Sequence, residues 1–182
     1  KEYNMQKWGT LYPTDYLYKY PKAGEKNSVV TVYVYDLASG ITRKIDTGTE
    51  TDQYIPRIKW TSDPEILCVT RMNRLQNKLE LLMADCRKAD KLIATTLLMT
   101  EENKTYIEIH DFLDFQSGNK TFTWVSDKNG WNHVYLYDIS GKEIRDLTPG
   151  NFDVTKVYGA DEISGTFYYA TSEVSPNDQE VY

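Results

Sequence analysis

The sequence predicts an all-β fold, and three observations carry that prediction. Fifteen tyrosines, with many valines and threonines, fall in short runs separated by Gly, Asn, Asp and Lys, the composition of strands and their turns. No stretch carries a convincing helical stripe of apolar residues. The third observation is a repeat: an aspartate ends a strand-like run at Asp36, Asp85 and Asp138, 49 and 53 residues apart. A period near fifty that holds four short antiparallel strands marks a β-propeller blade. The fold expected is therefore a partial β-propeller, with two full blades and two partial ones.

Each element follows in order. Residues 29–36, VVTVYVYD, and 41–46, ITRKID, read as the third and fourth strands of a first, partial blade covering 1–53 with its lead-in. The second blade, 54–100, takes IPRIKW (55–60), ILCVTR (66–71), KLELLMAD (78–85) and KLIATTLL (91–98), with a turn from Arg87 to Asp90. The third, 105–150, takes YIEIHDFLDF (106–115), TFTWVS (121–126), WNHVYLYD (131–138) and EIRDLT (143–148). Asn129-Gly130 supplies the positive φ that its central hairpin needs. The last, truncated blade covers 151–182, with VTKVYGAD (154–161), TFYYATS (166–172) and QEVY (179–182). A blade inside a ring is covered on both faces, so Trp131, Tyr135 and Tyr137 on one side and Val134 and Leu136 on the other are all expected inside.

Composition narrows the function classes. The formal charge is −6 and the sequence pI about 5.0, so nucleic acid and anionic membrane surfaces are repelled by the average surface. The longest apolar runs, Val29 to Tyr35 and Leu92 to Leu98, are too short to span a bilayer. The opening KEYNMQKWGT has neither an initiator methionine nor the apolar core of a signal peptide, and a piece of a larger protein is expected. Cys68 and Cys86 have no metal-ligand spacing and read as buried free thiols, with a cross-strand disulfide as the alternative. Asn103-Lys104-Thr105 and Asn119-Lys120-Thr121 match the glycosylation pattern, which acts only in a eukaryotic secreted protein.

Candidate chemistry is sparse. None of the nine serines lies in G-x-S-x-G, so no catalytic residue is assigned. His133 sits mid-strand among aromatic and aliphatic neighbours and reads as a hydrogen-bonded structural histidine. His110-Asp111 with Asp114 could be a metal or acid-base cluster. On a continuous strand 110 and 114 share one face and 111 the other, and a polar rim of an inner strand is the favoured reading. No metal and no cofactor are expected. The acidic run from Asp46 to Asp52 reads as a solvated connection, and Lys19, Lys22 and Lys26 form no basic field for single-stranded nucleic acid.

Specific strings add a resemblance. YKYPKAGEKNSVVTVYVYD (18–36) resembles the Y-P-K-A-G-x-x-N-x-x-V segment of the dipeptidyl peptidase IV propeller. WVSDKNGWNHVYLYD (124–138), LTPGNFDV (147–154) and YYATSEVSP (168–176) look like later blade segments of the same family, particularly its bacterial members. The resemblance implies a parent with an eight-bladed propeller and a carboxy-terminal α/β-hydrolase domain. That parent would remove X-Pro or X-Ala dipeptides by acyl transfer to serine. The nucleophile, base and oxyanion hole would all lie downstream of Tyr182. The family's pair of amine-binding glutamates precedes the Y-P-K-A-G segment; here only Glu2 does so. Glu101-Glu102, expected between blades, does not fit that motif.

Mammalian members place an arginine in the segment matching IEIHDFLDF, and this sequence has none there. His110 and Asp111 remain the cavity-loop candidates. The resemblance further implies peptide substrates admitted through the parent's cavity and a periplasmic, secreted or cell-surface location. The strand edges and blade faces that an open arc exposes predict a homo-oligomer. The alternative is a propeller that scaffolds protein or ligand binding with no peptidase attached.

Overall fold

The computed structural model describes residues 2–87 and 90–182, and among them sixteen strands and no helix. A lead-in hairpin, β1 (Glu2–Lys7) with β2 (Thr14–Lys19), pairs Tyr3 with Tyr18 and Met5 with Tyr16. The first sheet is β3 (Tyr33–Tyr35), β4 (Thr42–Ile45) and, in parallel with β4, β8 (Leu92–Ile93). The second is a four-stranded meander of β5 (Gln53–Trp60), β6 (Ile66–Asn73), β7 (Lys78–Asp85) and β9 (Thr95–Glu102). The third repeats it with β10 (Leu113–Phe115), β11 (Thr121–Ser126), β12 (His133–Asp138) and β13 (Glu143–Asp146). The fourth holds β14 (Val154–Asp161), β15 (Thr166–Thr171) and β16 (Glu180–Val181).

Alternation along the central strands explains how these sheets stack. On β6, Cys68 and Met72 enter one cluster with Phe115, Phe122, Trp124, Tyr135 and Tyr137 of the third sheet. Their neighbours Leu67 and Val69 enter another with Val32 and Ile45 of the first. The third sheet does the same: Val125 and Val134 meet Phe152 and Val154 of the fourth. Each full sheet is therefore sandwiched between neighbours, as a propeller blade is. Burying a side chain as large as Phe122, which is fully enclosed, contributes about 1.5–3 kcal/mol. Phe122 and Tyr137 also stack with ring centroids 5.2 Å apart.

The periodic aspartates are turn devices. Asp36 Oδ1 accepts the amides of Ala38 and Ser39, Asp85 that of Arg87, and Asp138 those of Ser140 and Lys142. Each carboxylate satisfies N–H groups that the strand has released, which is why the residue type recurs at that place.

Several expectations need correction. The amino-terminal segment forms the β1–β2 hairpin as well as two later strands, and 29–36 is strand only at Tyr33–Tyr35. The strand expected over 106–115 shrinks to Leu113–Phe115, because the Ile107 amide donates to Gln76 O of the preceding sheet instead of a neighbour in its own. The run 91–98 divides: Leu92–Ile93 joins the first sheet, and the strand resumes at Thr95 and continues to Glu102. Glu101 and Glu102 accordingly lie on a strand rather than between blades. Trp131 sits in the turn before β12 and is exposed, and Leu136 is only half buried. The turn expected over Arg87 to Asp90 includes positions 88 and 89, which lie outside the described residues.

Cys68 and Cys86 are free and buried in clusters on opposite faces of one sheet, so no disulfide joins them. Burial pushes the Cys68 thiol up to about 12, which leaves it inert as a nucleophile.

Candidate functional site

A four-stranded meander places its turns on two rims. Turns from first to second strand and from third to fourth share one rim, whereas second-to-third turns and sheet-to-sheet connections share the other. On the first rim the turns carry aspartate caps: Asp63 accepts the amide of Glu65, and Asp161 those of Ile163 and Ser164, as Asp36, Asp85 and Asp138 cap theirs. The second rim is open. It carries cavities of about 640, 560, 460 and 430 Å³, built around 48–53 with 71–80, around 101–110 with 125–132 and 153–155, around 24–29 with 51–52, and around 110–112 with 154–157.

His110 lies where two of these cavities meet. The connection from β9 to β10 delivers it there: Asn103 Oδ1 caps the amide of Thr105, Ile107 is pinned to Gln76, and the chain then crosses the second rim. The imidazole packs on Trp124 with ring centroids 4.2 Å apart, and its Nε2–H donates to Val125 O at 2.6 Å. Burial lowers its pKa below the ordinary histidine value, while the carbonyl bond opposes the shift. A neutral histidine is the result.

Asp111 turns the other way. It is exposed and pairs with Arg57 of β5, and Asp114 faces Lys59 of the same strand at 3.8 Å. The three candidate side chains thus diverge: His110 goes to a backbone carbonyl, and the two aspartates form ion pairs joining the second and third sheets. Among the described residues, no group of three or more potential ligands could hold a metal ion. His133 is buried, and its Nδ1–H donates to Asp146 Oδ2 at 2.8 Å, the structural histidine expected from its neighbours.

Two features escaped the sequence reading. Glu101 accepts bonds from Trp124 Nε1 and the Ser126 hydroxyl, both at 2.6 Å, and so ties the second sheet to the third. The second is the cation-bearing groove, where the Arg71 guanidinium forks onto Glu80 Oε2 from Nε and Nη2, at 2.8 and 2.6 Å, and reaches Thr47 O at 2.9 Å. Arg71 and Glu80 are direct partners across the β6–β7 pair, so the pairing was available from a hairpin register counted out residue by residue.

This arc of stacked sheets, with its grooved second rim, resembles known proteins. The family model described as the dipeptidyl peptidase IV (DPP IV) N-terminal region matches residues 1–182. The chain belongs to that family. The crystal structure of Porphyromonas gingivalis dipeptidyl peptidase 4 superposes on the DPP IV-type arc with a TM-score of 0.86 at 40% identity, covering 100% of this chain and 26% of that one. An inactive dipeptidyl peptidase 10 from Rattus norvegicus is 28% identical over 96% of this chain and 23% of its own length. A probable dipeptidyl peptidase 4 from Trichophyton verrucosum is 22% identical over 98% of this chain and 24% of its own. The DPP IV N-terminal segment described here thus spans about a quarter of the length of the relatives it matches. Among the described residues, no helix is long and apolar enough to cross a membrane.

Proposed function

We propose that these residues are a non-catalytic propeller section of a dipeptidyl peptidase IV-like serine exopeptidase. Stacked sheets wall the substrate cavity and restrict access to a hydrolase domain that lies outside this chain. The observation that carries the reading is the family match along all 182 residues together with 40% identity to a dipeptidyl peptidase 4. The parent would release X-Pro or X-Ala dipeptides from peptide amino termini, with the α/β-hydrolase domain as the intramolecular partner. His110 and Asp111 serve as wall residues of the cavity, and the chemistry stays with the other domain.

Two further expectations belong to the same reading. Export to a periplasm, cell surface or medium follows from the family resemblance. A homo-oligomer is supported by the β1–β2 hairpin, which exposes Met5, Trp8, Leu11, Tyr12, Tyr16 and Leu17, an apolar load that a two-stranded hairpin does not hold stably in water by itself.

One observation favours the rival reading of a binding scaffold without peptidase activity: a relative at 28% identity is named an inactive dipeptidyl peptidase. Assaying the full-length parent and residues 1–182 separately on a Gly-Pro chromogenic substrate discriminates the two. The enzyme reading expects turnover from the parent and none from the piece. A silent parent would support the scaffold, and an active piece would contradict both.

A further inference from the structure

The shortness of β10 leaves a chamber in the seam between the second and third sheets. In register, Leu113 faces Trp124 of β11 and Phe115 faces Phe122, so a longer strand would have run on beside Val125. The chain leaves the ladder there, and the His110 imidazole takes the Val125 carbonyl in place of a main-chain amide. Behind it lies a cavity of about 60 Å³, walled by Thr70 of β6, Leu79 of β7, His110, Leu113 and Trp124, with Arg57 of β5 and Asp111 beside them.

Thr70, Leu79, Leu113 and Trp124 are buried, whereas the side chains of Arg57 and Asp111 are 48% and 84% exposed. The ion pair between those two therefore stands on the solvent side of the chamber. Exposed pairs of this kind add little stability, so separating them costs little. The inner wall is fixed from behind. Glu101 accepts from Trp124 Nε1 and the Ser126 hydroxyl, and the His110 ring lies 4.2 Å from the Trp124 ring, so the wall needs no ordering before an occupant arrives. His110 Nδ1 is buried with no donor among the described residues, which adds one acceptor for a main-chain N–H.

Size and chemistry choose the occupant. A dry cavity of ~150 Å³ admits benzene, so one of about 60 Å³ has room for two or three carbon atoms. That is the side chain of an alanine or a valine, and a leucine or an aromatic ring is too large. A guanidinium and a carboxylate side by side at the mouth match the C=O and N–H of a peptide group. β5 and β10 are also the first strands of their sheets, and in a propeller the blades surround a central channel. We infer that the chamber is a peptide subsite: it takes one alanine- or valine-sized side chain, while the peptide's N–H and C=O replace Arg57 and Asp111 as each other's partners. The inference rests on the peptide-processing parent proposed above, and gives the seam between the second and third sheets a part in selecting the residues that follow the released dipeptide.

The test uses the full-length parent in two arms. In the first, kcat/KM is compared for Gly-Pro-Val-Val-Val and Gly-Pro-Gly-Gly-Gly, which offer valine or glycine at every position beyond the dipeptide. The native protein should favour valine by at least about four-fold, the scale of burying one methylene group. Thr70→Leu fills the chamber and should cut that preference to less than about two-fold; where it does not fold, Ile109→Phe fills the chamber from another wall. In the second arm, crystals are soaked with acetyl-Ser-Val-Ser-Val, whose blocked amine prevents cleavage by an exopeptidase, and a valine side chain is expected in the chamber with Arg57 and Asp111 parted. A valine preference that survives filling, or a chamber holding only water in the soaked crystals, would overturn the subsite. Cleavage of the Gly-Pro chromogenic substrate is followed alongside. A parent that cleaves it while the chamber stays free of peptide overturns the subsite alone; a parent with peptide in the chamber and no cleavage overturns the peptidase reading alone.

Discussion

His110 stays neutral because its ring is held between Trp124 and the Val125 carbonyl, away from water. The unfolded chain takes up a proton near the ordinary histidine value of 6.5, whereas the folded chain resists until a lower pH. The unfolded state therefore binds more protons in that window, and stability falls as pH drops below about 6.5. Thermal unfolding from pH 8 to pH 5 should show this loss in the native protein and less of it in His110→Gln. Equal slopes in the two proteins would show that the ring is solvated.

The turn carboxylates act further down the scale. Asp138 is held below its usual value first by the Ser140 hydroxyl, and Asp36 first by the Ser39 amide. Their contribution is present above about pH 3.8 and lost as pH falls through their depressed folded values, so Asp138→Asn should shrink the acid limb and leave neutral behaviour less changed. Trp124→Phe removes the indole donor from the Glu101 carboxylate, and urea unfolding should register a loss of about 1.5–3 kcal/mol. At this scale the sequence was partly legible. The repeating aspartates announced themselves by spacing, and His133 by its apolar neighbours. Glu101 did not, because its partners Trp124 and Ser126 are more than twenty positions away and belong to another sheet.

Strands meet across seams with little clearance, and glycine marks one such place. At Gly141, φ is +85 and a Cβ would stand 1.8 Å from Leu98 O of the neighbouring sheet. Gly118 has a similar φ, +78, with nothing within 4 Å. Gly118→Ala should therefore cost only the left-handed backbone, about 1–2 kcal/mol, and Gly141→Ala that plus overpacking of about 1–3 kcal/mol more. Matched costs for the two would mean that the third-to-fourth strand turn of the third sheet does not rest on β9.

Long apolar alternating strands such as β6, β7, β11 and β12 could be read directly, since both faces are buried and the local pattern decides them. The failures came where long-range pairing overrides local pattern. Ile107 bonds to a preceding hairpin, and Leu92–Ile93 leaves its own sheet for β4. Neither choice is encoded within a few residues of the strand concerned. The β1–β2 hairpin was missed because its exposed tyrosines give no buried face to detect.

As a whole, the molecule is an arc whose end sheets are uncovered. Tyr33 and Tyr35 are exposed on the first sheet, Tyr158 and Tyr168 on the fourth. Such faces and the free strand edges beside them favour association, so light scattering of the isolated piece at high concentration should report oligomers rather than a clean monomer. The fold class and the family were legible at this scale because the repeat and the Y-P-K-A-G string span the chain. The open rim was not, since a cavity exists only once connections from different sheets are brought side by side.

A cryo-EM map of the full-length parent at side-chain resolution tests the central claim most directly. It should show the sheets β5–β9 and β10–β13 as consecutive, separate blades about one axis, with β5, β10 and β14 innermost and the second rim facing the hydrolase domain. A two-layer sandwich in place of the blades, or an arc turned with its first rim toward that domain, would contradict the account.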